Sequence, residues 1–518
     1  MRGSNGKRGR RLFPALALAA LLPLWLAGCG QLAVTSSSEA KAAESAINGC
    51  SPGTSPPLPL DSLGDPYYPQ LGNAGYDAQH YSLDLTADPA SNTITGTATI
   101  LAQAAQNLSA FSLDFHGLTI HDLTVDGEPA VYERQGDKLR ITLPQPVSQG
   151  QIFSTTVAYS GQPGAVQSPA TWRLLGWVQA GAGSYVSAEP SGAQGWYPVN
   201  DYPCDKATYD LRLTVPISLT AAANGQLVGT EDNGPTMTYL WHAREPIASY
   251  LVSVYVGDFT PYVEEGPGGL PIRSYYLKAV AADAARVFSD TTQEIAFFSN
   301  CFGPYPFEAY GVAVVDDALG DWAMENQTLS LFGRDVTRSG LAPSIGPHEL
   351  AHQWFGNSVS LKSWRDIWLN EGFATYAEAL WYEHVNGPAA LEARMRGTYP
   401  GEGSTALLPP GNPPPDDLFN SSVYLRGALT LHALRRQVGD ETFFRILHTY
   451  TDRYRYGNAS TNDFIAVASE VSGHDLGAFF QAWLYNPAIP PYPGPQAGWI
   501  LPLQPFRQSA PWPASPWP

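Results

Sequence analysis

HELAHQWFGN, residues 348–357, places His348 and His352 four positions apart, with Glu349 beside the first of them. On a helix, positions i and i+4 share one face, so both imidazoles can reach one cation at about 2.0–2.1 Å. A catalytic zinc needs a third protein ligand and one open position for water. Glu371 is the candidate. It follows His352 after 18 residues, inside WLNEGFATYAEAL, 368–380, which leaves room for a helix end, a turn and the start of a second helix packed on the first. Without Glu371 the pentapeptide fits surface histidines on an ordinary helix equally well. Glu349 leaves the helix about 100° round from His348, beside the metal and not on it. There it can take a proton from metal-activated water and return it to a leaving group. Asn370 and Glu378 can support the ligands from behind, although either reads equally as a helix-surface residue and for Glu378 that reading is slightly favoured. Trp354, Phe355, Trp364 and Trp368 read as core.

Outward from this stretch the chain divides by periodicity. From DPYYPQLGNAGYDAQHYSLDL, 65–85, to about Phe259, short alternating runs dominate, among them NTITGTATI, 92–100, and KLRITL, 138–143. Asp126-Gly127 and Pro/Gly clusters punctuate them, the pattern of strands with one buried face. Near Ala279 the period lengthens: Val287, Thr291, Ile295 and Phe298 mark an amphipathic helix. A strand-like YGVAVVD, 310–316, follows, then the zinc-type helix from 346 to about 357 and a second from Trp368 to about His384. The fold class is α+β and multidomain, with a β-rich domain over 65–270 and a mixed α/β and helical domain over 271–490. The last 32 residues hold eleven prolines and cannot be helical; residues 491–518 read as a proline-rich tail.

The other end carries a basic head, Arg2, Lys7, Arg8, Arg10 and Arg11, and an apolar run from Leu12 to about Ala27. The run is too short and too proline-interrupted for a membrane span of about 20 residues and reads as a secretory signal over 1–28. Leu26-Ala27-Gly28-Cys29 resembles a bacterial lipobox, which implies lipid attachment at Cys29, followed by a Ser/Ala/Gly/Pro-rich tether over 29–64. The expected location is outside the cytoplasm at the cell envelope, held to the membrane by the lipid alone. Removing the five head cations takes the formal charge from −18 to −23. So acidic a chain, with no basic run after Arg11, does not bind nucleic acid. Cys50, Cys204 and Cys301 allow one disulfide, of any pairing, and no thiolate metal site. The oligomeric state is left open.

HELAHQWFGN followed by WLNEGFATYAE resembles the M1 family of gluzincin metallopeptidases, the alanyl and leucyl aminopeptidase type. DWAMENQTLS, 321–330, resembles the family's GxMEN substrate-binding strand, and SVYLRGALTLHAL, 422–434, its YxKG segment. SAEPSGAQGWYPVNDYPCDKATYDLRLTVP, 187–216, resembles the stretch that crosses into the active site from the N-terminal domain. The resemblance runs from about Asp65 to Pro490. It implies a saddle-like N-terminal β-sheet domain and a thermolysin-like catalytic domain holding one zinc ion per chain on His348, His352 and Glu371. Glu349 would be the general base and Tyr424 the hydrogen-bond donor to the tetrahedral oxyanion. Glu325 and Glu189 would hold the free α-ammonium of a peptide substrate, and Ala323 and Met324 would offer it backbone groups in β-fashion. The implied function is hydrolysis of the first peptide bond of peptides with a free N-terminus.

Three departures from the family pattern stand out. Trp322 occupies the position of the family's Gly before Ala-Met-Glu-Asn, which alters the pocket. Arg426 replaces the Lys of YxKG, keeping the cation but not its geometry. The large C-terminal helical domain that roofs the cleft in many members is expected to be absent, leaving the cleft open to longer peptides. Two other readings stand beside the aminopeptidase: an endopeptidase or epoxide hydrolase on the same frame, and a non-catalytic peptide-binding lipoprotein.

Overall fold

Asp126 and Gly127 both take positive φ, 50° and 80°, and turn strand Thr119–Val125 directly into Glu128–Pro129. A two-residue turn of this hand needs left-handed backbone at both positions, which Asp and Gly tolerate. The computed structural model describes residues 59–320 and 322–493. The expected signal segment, Cys29, most of the tether and nearly all of the proline-rich tail lie outside the described residues. The described end of the tether is packed and not loose, because Leu63 is buried and its side chain fills the space over Gly72. At the other end Tyr492 packs edge-on against Tyr399, ring centroids 5.2 Å apart.

The alternating runs build an eight-stranded sheet. At its centre Tyr76–Asp88 runs parallel to Ala207–Pro216 and antiparallel to Thr93–Ala104. Register places Tyr81 opposite Tyr209, and their rings stack at 5.0 Å. Alternate residues of Thr93–Ala104 are buried, as a strand with one face on the core requires. A three-stranded sheet of Leu108–Asp114, Lys138–Val147 and Val131–Gln135 accompanies it. A five-stranded sheet, which contains Thr171–Ala180 and Gly183–Ser187, leads the chain to Glu189.

The second region is built on a mixed five-stranded sheet in the order Phe259–Glu265, Pro271–Leu277, Val312–Val315, Ser330–Gly333, Ala323–Met324. Its first two strands are one hairpin, so the expected junction at 270/271 cuts between two paired strands. Ala323–Met324 is an edge strand, bonded on one side only, antiparallel to Ser330–Gly333. The helix expected around Val287–Phe298 is two helices, Ala281–Val287 and Thr291–Phe302. Between them Phe288 turns into the core, its ring 4.9 Å from that of Phe332, and this breaks the helical run. Trp354, Phe355, Trp364 and Trp368 are all buried core residues, as their composition predicts.

Two helices cross closely at the centre of this region. A Cβ placed on Gly372, in Trp368–Asn386, would lie 2.9 Å from Cα of Gly427, in Ser421–Val438. Only a glycine pair permits that approach. The crossing brings the Tyr424 turn up to the first turn of the Glu371 helix. Among the described residues no helix is long and apolar enough to cross a membrane.

Candidate active site

Helix Ala342–Ala351 carries the histidines. Pro343 sits in its first turn, where a missing N–H costs nothing. The helix stops at Ala351, with His352 as its cap, and does not run on to 357 as expected. Gly356, at φ 116°, helps return the chain, and its N–H donates to Val359 O at 2.9 Å. Both histidines nevertheless remain in helical conformation, so the i, i+4 geometry holds.

Nε2 of His348 lies 3.2 Å from Glu371 Oε2, and Nε2 of His352 lies 3.5 Å from the same oxygen. One donor atom from each residue falls within 4.8 Å of the other two. The far nitrogens are both engaged: His348 Nδ1 is 2.8 Å from Glu378 Oε1, and His352 Nδ1 donates to Phe355 O at 3.1 Å. Partners of this kind keep protons at Nδ1 and turn both Nε2 atoms towards Glu371; although burial opposes it, Glu371 and the neighbouring carboxylates hold both rings above the usual imidazole range, so a proton at Nε2 takes the place a cation would fill. Two imidazoles and one carboxylate so disposed are a donor set suited to zinc with a position left open. Burial alone would raise Glu371, but the two facing histidines bring it down to about 2. Glu371 is therefore an anion, as a ligand must be.

Glu378 is no surface residue. Besides His348, it accepts from Arg394 Nη2 at 2.6 Å and from Ser344 Oγ, so the reading of it as a solvated carboxylate is corrected. Asn370 has a different task from supporting a ligand. It is fully buried, donates to Tyr250 Oη at 3.4 Å and packs over Gly356, holding the turn behind His352.

A cleft of about 470 Å³ opens over this cluster, and all the expected site residues of the two domains line it: Glu189, Ala323, Met324, Glu325, Glu349 and Tyr424 join the three metal-ligand candidates. Cys29 lies outside the described residues. Burial pushes Glu349 up to about 8. Burial, and then the charge of neighbouring carboxylates, pushes Glu189 far above the usual range; burial also raises Glu325. Oε1 of Glu189 and Oε1 of Glu325 are buried without a hydrogen-bond partner. Desolvated, unpartnered carboxylates crowded in this way call for cations. The Tyr424 ring lies 6.2 Å from that of His348, nearly parallel to it. Burial followed by the nearby carboxylates keeps its hydroxyl protonated, so it has a proton to donate at neutral pH.

The opening stretch holds two functional residues that the motif reading passed over. Gln353 Nε2 and Asn357 Nδ2 both donate to the carbonyl of Glu325, at 3.0 and 2.7 Å. Gln353 Oε1 also accepts from Thr328 N at 2.9 Å. From the N-terminal domain, half-buried Lys206 donates to the carbonyls of Asn357 and Ser358 at 2.7 and 3.0 Å. The helix and turn that carry the two histidines are thus tied to Glu325, just past edge strand Ala323–Met324. A buried amide in an otherwise apolar turn was the available signal. Arg173, Asp416 and Asp417, which also line the cleft, carry no motif that marks them.

Arg426 has a place in the packing that the motif does not convey. It is wholly buried and outside the cleft, and it donates to the carbonyls of Leu407, Ala482, Trp483, Asn486 and Pro487. The cation clamps the segment that ends the last helical turn; it does not face substrate. Cys204 is disulfide-bonded, and Cys301 is a buried free thiol.

The same two-part arrangement emerges from comparison with known proteins. Residues 77–251 match the Peptidase M1 N-terminal domain and residues 287–483 the Peptidase family M1 domain. Aminopeptidase N of Streptomyces lividans is 27% identical over 444 residues, 80% of this chain and 50% of that protein. Aminopeptidase M1-A of rice (Oryza sativa subsp. japonica) is 29% identical over 58% of this chain and 37% of its own length. The chain thus spans half the length, or less, of the curated relatives it matches. The crystal structure of the M1 zinc metallopeptidase from Deinococcus radiodurans superposes with a TM-score of 0.78 at 32% identity, over 84% of this chain and 99% of that one. With both domain models matched in order and the histidine–glutamate cluster at their junction, the chain belongs to peptidase family M1.

Proposed function

We propose that the protein is a zinc-dependent aminopeptidase, which removes the first residue of peptides with a free N-terminus. The observation that carries this reading is the pair of buried, unpartnered carboxylate oxygens, Glu189 Oε1 and Glu325 Oε1, in the same cleft as the three-donor cluster. A substrate ammonium supplies the missing partner for both, through charge-assisted hydrogen bonds. Anchoring the amine there places the first peptide bond over His348, His352 and Glu371. Family membership and the aminopeptidase relatives support the same activity.

In this reading His348, His352 and Glu371 hold one zinc ion, which when bound polarises a carbonyl and lowers the pKa of water. Glu349, in a desolvated position beside the cluster, accepts the proton of the attacking water and delivers it to the departing amine. Its raised affinity for protons, from burial, suits an acid–base group that must both take and give. Tyr424 donates to the oxygen on which charge develops. Ala323 and Met324 present an open strand edge to the substrate backbone. The catalytic, ligand and substrate-binding assignments are part of the proposal, as are export and lipid attachment at Cys29, which rest on the sequence of residues 1–29 alone.

The test is hydrolysis of aminoacyl chromogenic substrates before and after chelation, with zinc restored, and with Glu349→Ala. Loss on chelation, recovery with zinc and a fall of about 10²–10⁴-fold in the variant are expected. Turnover that survives both treatments would sink the mechanism. An N-acetylated peptide should be inert; its cleavage at a comparable rate would point to an endopeptidase.

A further inference from the structure

The turn that follows Glu325 is strained. Leu329 N donates to Asn326 O at 3.0 Å and closes a four-residue turn with Thr328 in third place. Thr328 takes φ 67° there, the left-handed backbone that a glycine or asparagine usually supplies at that place. Among the described residues four other than glycine take positive φ, and Thr328 is the β-branched one. A side chain branched at Cβ is poorly suited to this conformation, and Thr328 is buried as well. Such strain persists only where the surroundings over-determine it.

The surroundings do so from two sides. Gln353, in the turn after the histidine helix, accepts from Thr328 N through Oε1 at 2.9 Å. The Nε2 of the same amide donates to Glu325 O at 3.0 Å, so one side chain spans both ends of the bend. From the N-terminal domain, Gly225 N donates to Thr328 Oγ1 at 2.9 Å. Its neighbour Asn224 donates through Nδ2 to Gln327 O at 2.6 Å and to Leu251 O at 2.9 Å. Asn224 is itself held, because Ser253 N donates to its Oδ1 at 2.6 Å. Thr328 therefore joins the histidine turn through its N–H and the other domain through its hydroxyl.

We infer that Thr328 is a positioning residue for the substrate's amine, whose strained and doubly tethered turn fixes Glu325 relative to His348, His352 and Glu371. The inference rests on the aminopeptidase reading for the role of Glu325. No hydrogen bond holds Glu325 Oε1, so its aim depends on the backbone beneath it. A displacement of about 1 Å in such a contact can cost on the order of 100-fold in rate. Glycine at 328 would reach the same φ without strain, yet it would lose the hydroxyl that ties the turn to Gly225. Threonine keeps that link between the domains and accepts local strain with it.

The experiment measures Thr328→Gly alone and in a Glu325→Gln background, with kcat/KM on alanine p-nitroanilide and zinc content read for each. Alone, the substitution should lower kcat/KM about tenfold with zinc content unchanged. In the Glu325→Gln background it should lower it by less than about twofold, because the group it positions is already impaired. An equal loss in both backgrounds is the mark of a merely structural residue and overturns the inference. Thr328→Ser keeps the hydroxyl and should recover most of the loss; a serine variant as impaired as the glycine one overturns the tether. Thr328→Ala, which also lacks the hydroxyl, serves in the same two backgrounds should the glycine variant not fold. Hydrogen exchange of the backbone over residues 323–330 needs no turnover. It should be faster in Thr328→Gly than in the wild type, and unchanged exchange overturns the inference. If the wild type leaves alanine p-nitroanilide intact, or cleaves N-acetylated peptide as fast as free peptide, the aminopeptidase reading fails. The exchange measurement then still decides whether Thr328 holds the Glu325 segment.

Discussion

Oε1 of Glu378 lies 2.8 Å from Nδ1 of His348, and it does so while Oε2 is held by Arg394 and Ser344. The carboxylate therefore fixes both the ring orientation and the tautomer of the first ligand. Glu378→Gln keeps the shape but weakens that hold. We expect zinc affinity to fall about 10- to 100-fold, with activity recovering as zinc is raised. Competition against a chelator of known affinity measures it, and unaltered affinity would show that His348 needs no such orientation.

Glu325 separates substrate binding from metal binding. Its side chain faces the cleft with one oxygen unpartnered, and its backbone is pinned by Gln353 and Asn357. Glu325→Gln should lower kcat/KM on free-amine substrates by about 10- to 100-fold and leave the zinc content near one per chain. Zinc lost in step with activity would contradict an ammonium-binding role.

Arg426 holds five carbonyls in a fully buried position. Removing the cation leaves those acceptors unsatisfied, so Arg426→Ala should cost about 3 kcal/mol or more of unfolding free energy. Denaturant titration reads this directly. Arg426→Lys should recover only part, since an ammonium cannot reach five acceptors with three protons. A variant as stable as the wild type would mean that the segment 482–487 is held by its apolar contacts alone.

His432 gives the fold an acid sensitivity. It is buried between Tyr376 and Tyr492, whose hydroxyls lie 3.3 Å from its two ring nitrogens. Burial, reinforced by the charges of Arg435 and Arg436, brings its pKa down to about 3, despite Glu392 Oε2 at 3.6 Å. The folded pKa lies below the unfolded value near 6.5, so the unfolded chain binds more protons between the two. The stability is present above about pH 6.5 and is lost as pH falls towards 3. Relative to the wild type, His432→Gln should remove roughly 2–3 kcal/mol of the loss seen between pH 7 and pH 4.5. Parallel stability profiles for the two proteins would rule this out.

The sequence by itself marked the candidate metal cluster and the order of its surroundings. Helical period and spacing are local properties: His348 and His352 share a face wherever that helix sits, and the period-2 runs of 65–259 can bury one side only as strands. Even the glycines of NEGFA and YLRG were in view, although their purpose was not. Gly372 and Gly427 are needed because two helices cross within van der Waals contact, and no single segment contains that fact. The same holds for Glu378, which only the fold sets against Ser344 and Arg394. It holds too for Arg426, which the motif singles out only as a replaced lysine and packing makes a clamp. Arg173 and Trp322 lie 149 positions apart in the chain and touch only because a strand of one domain meets the sheet edge of the other. Local spacing sets which atoms can share a metal. Which charges face a substrate is decided by contacts between distant segments, whose energies depend on burial that only the folded chain creates.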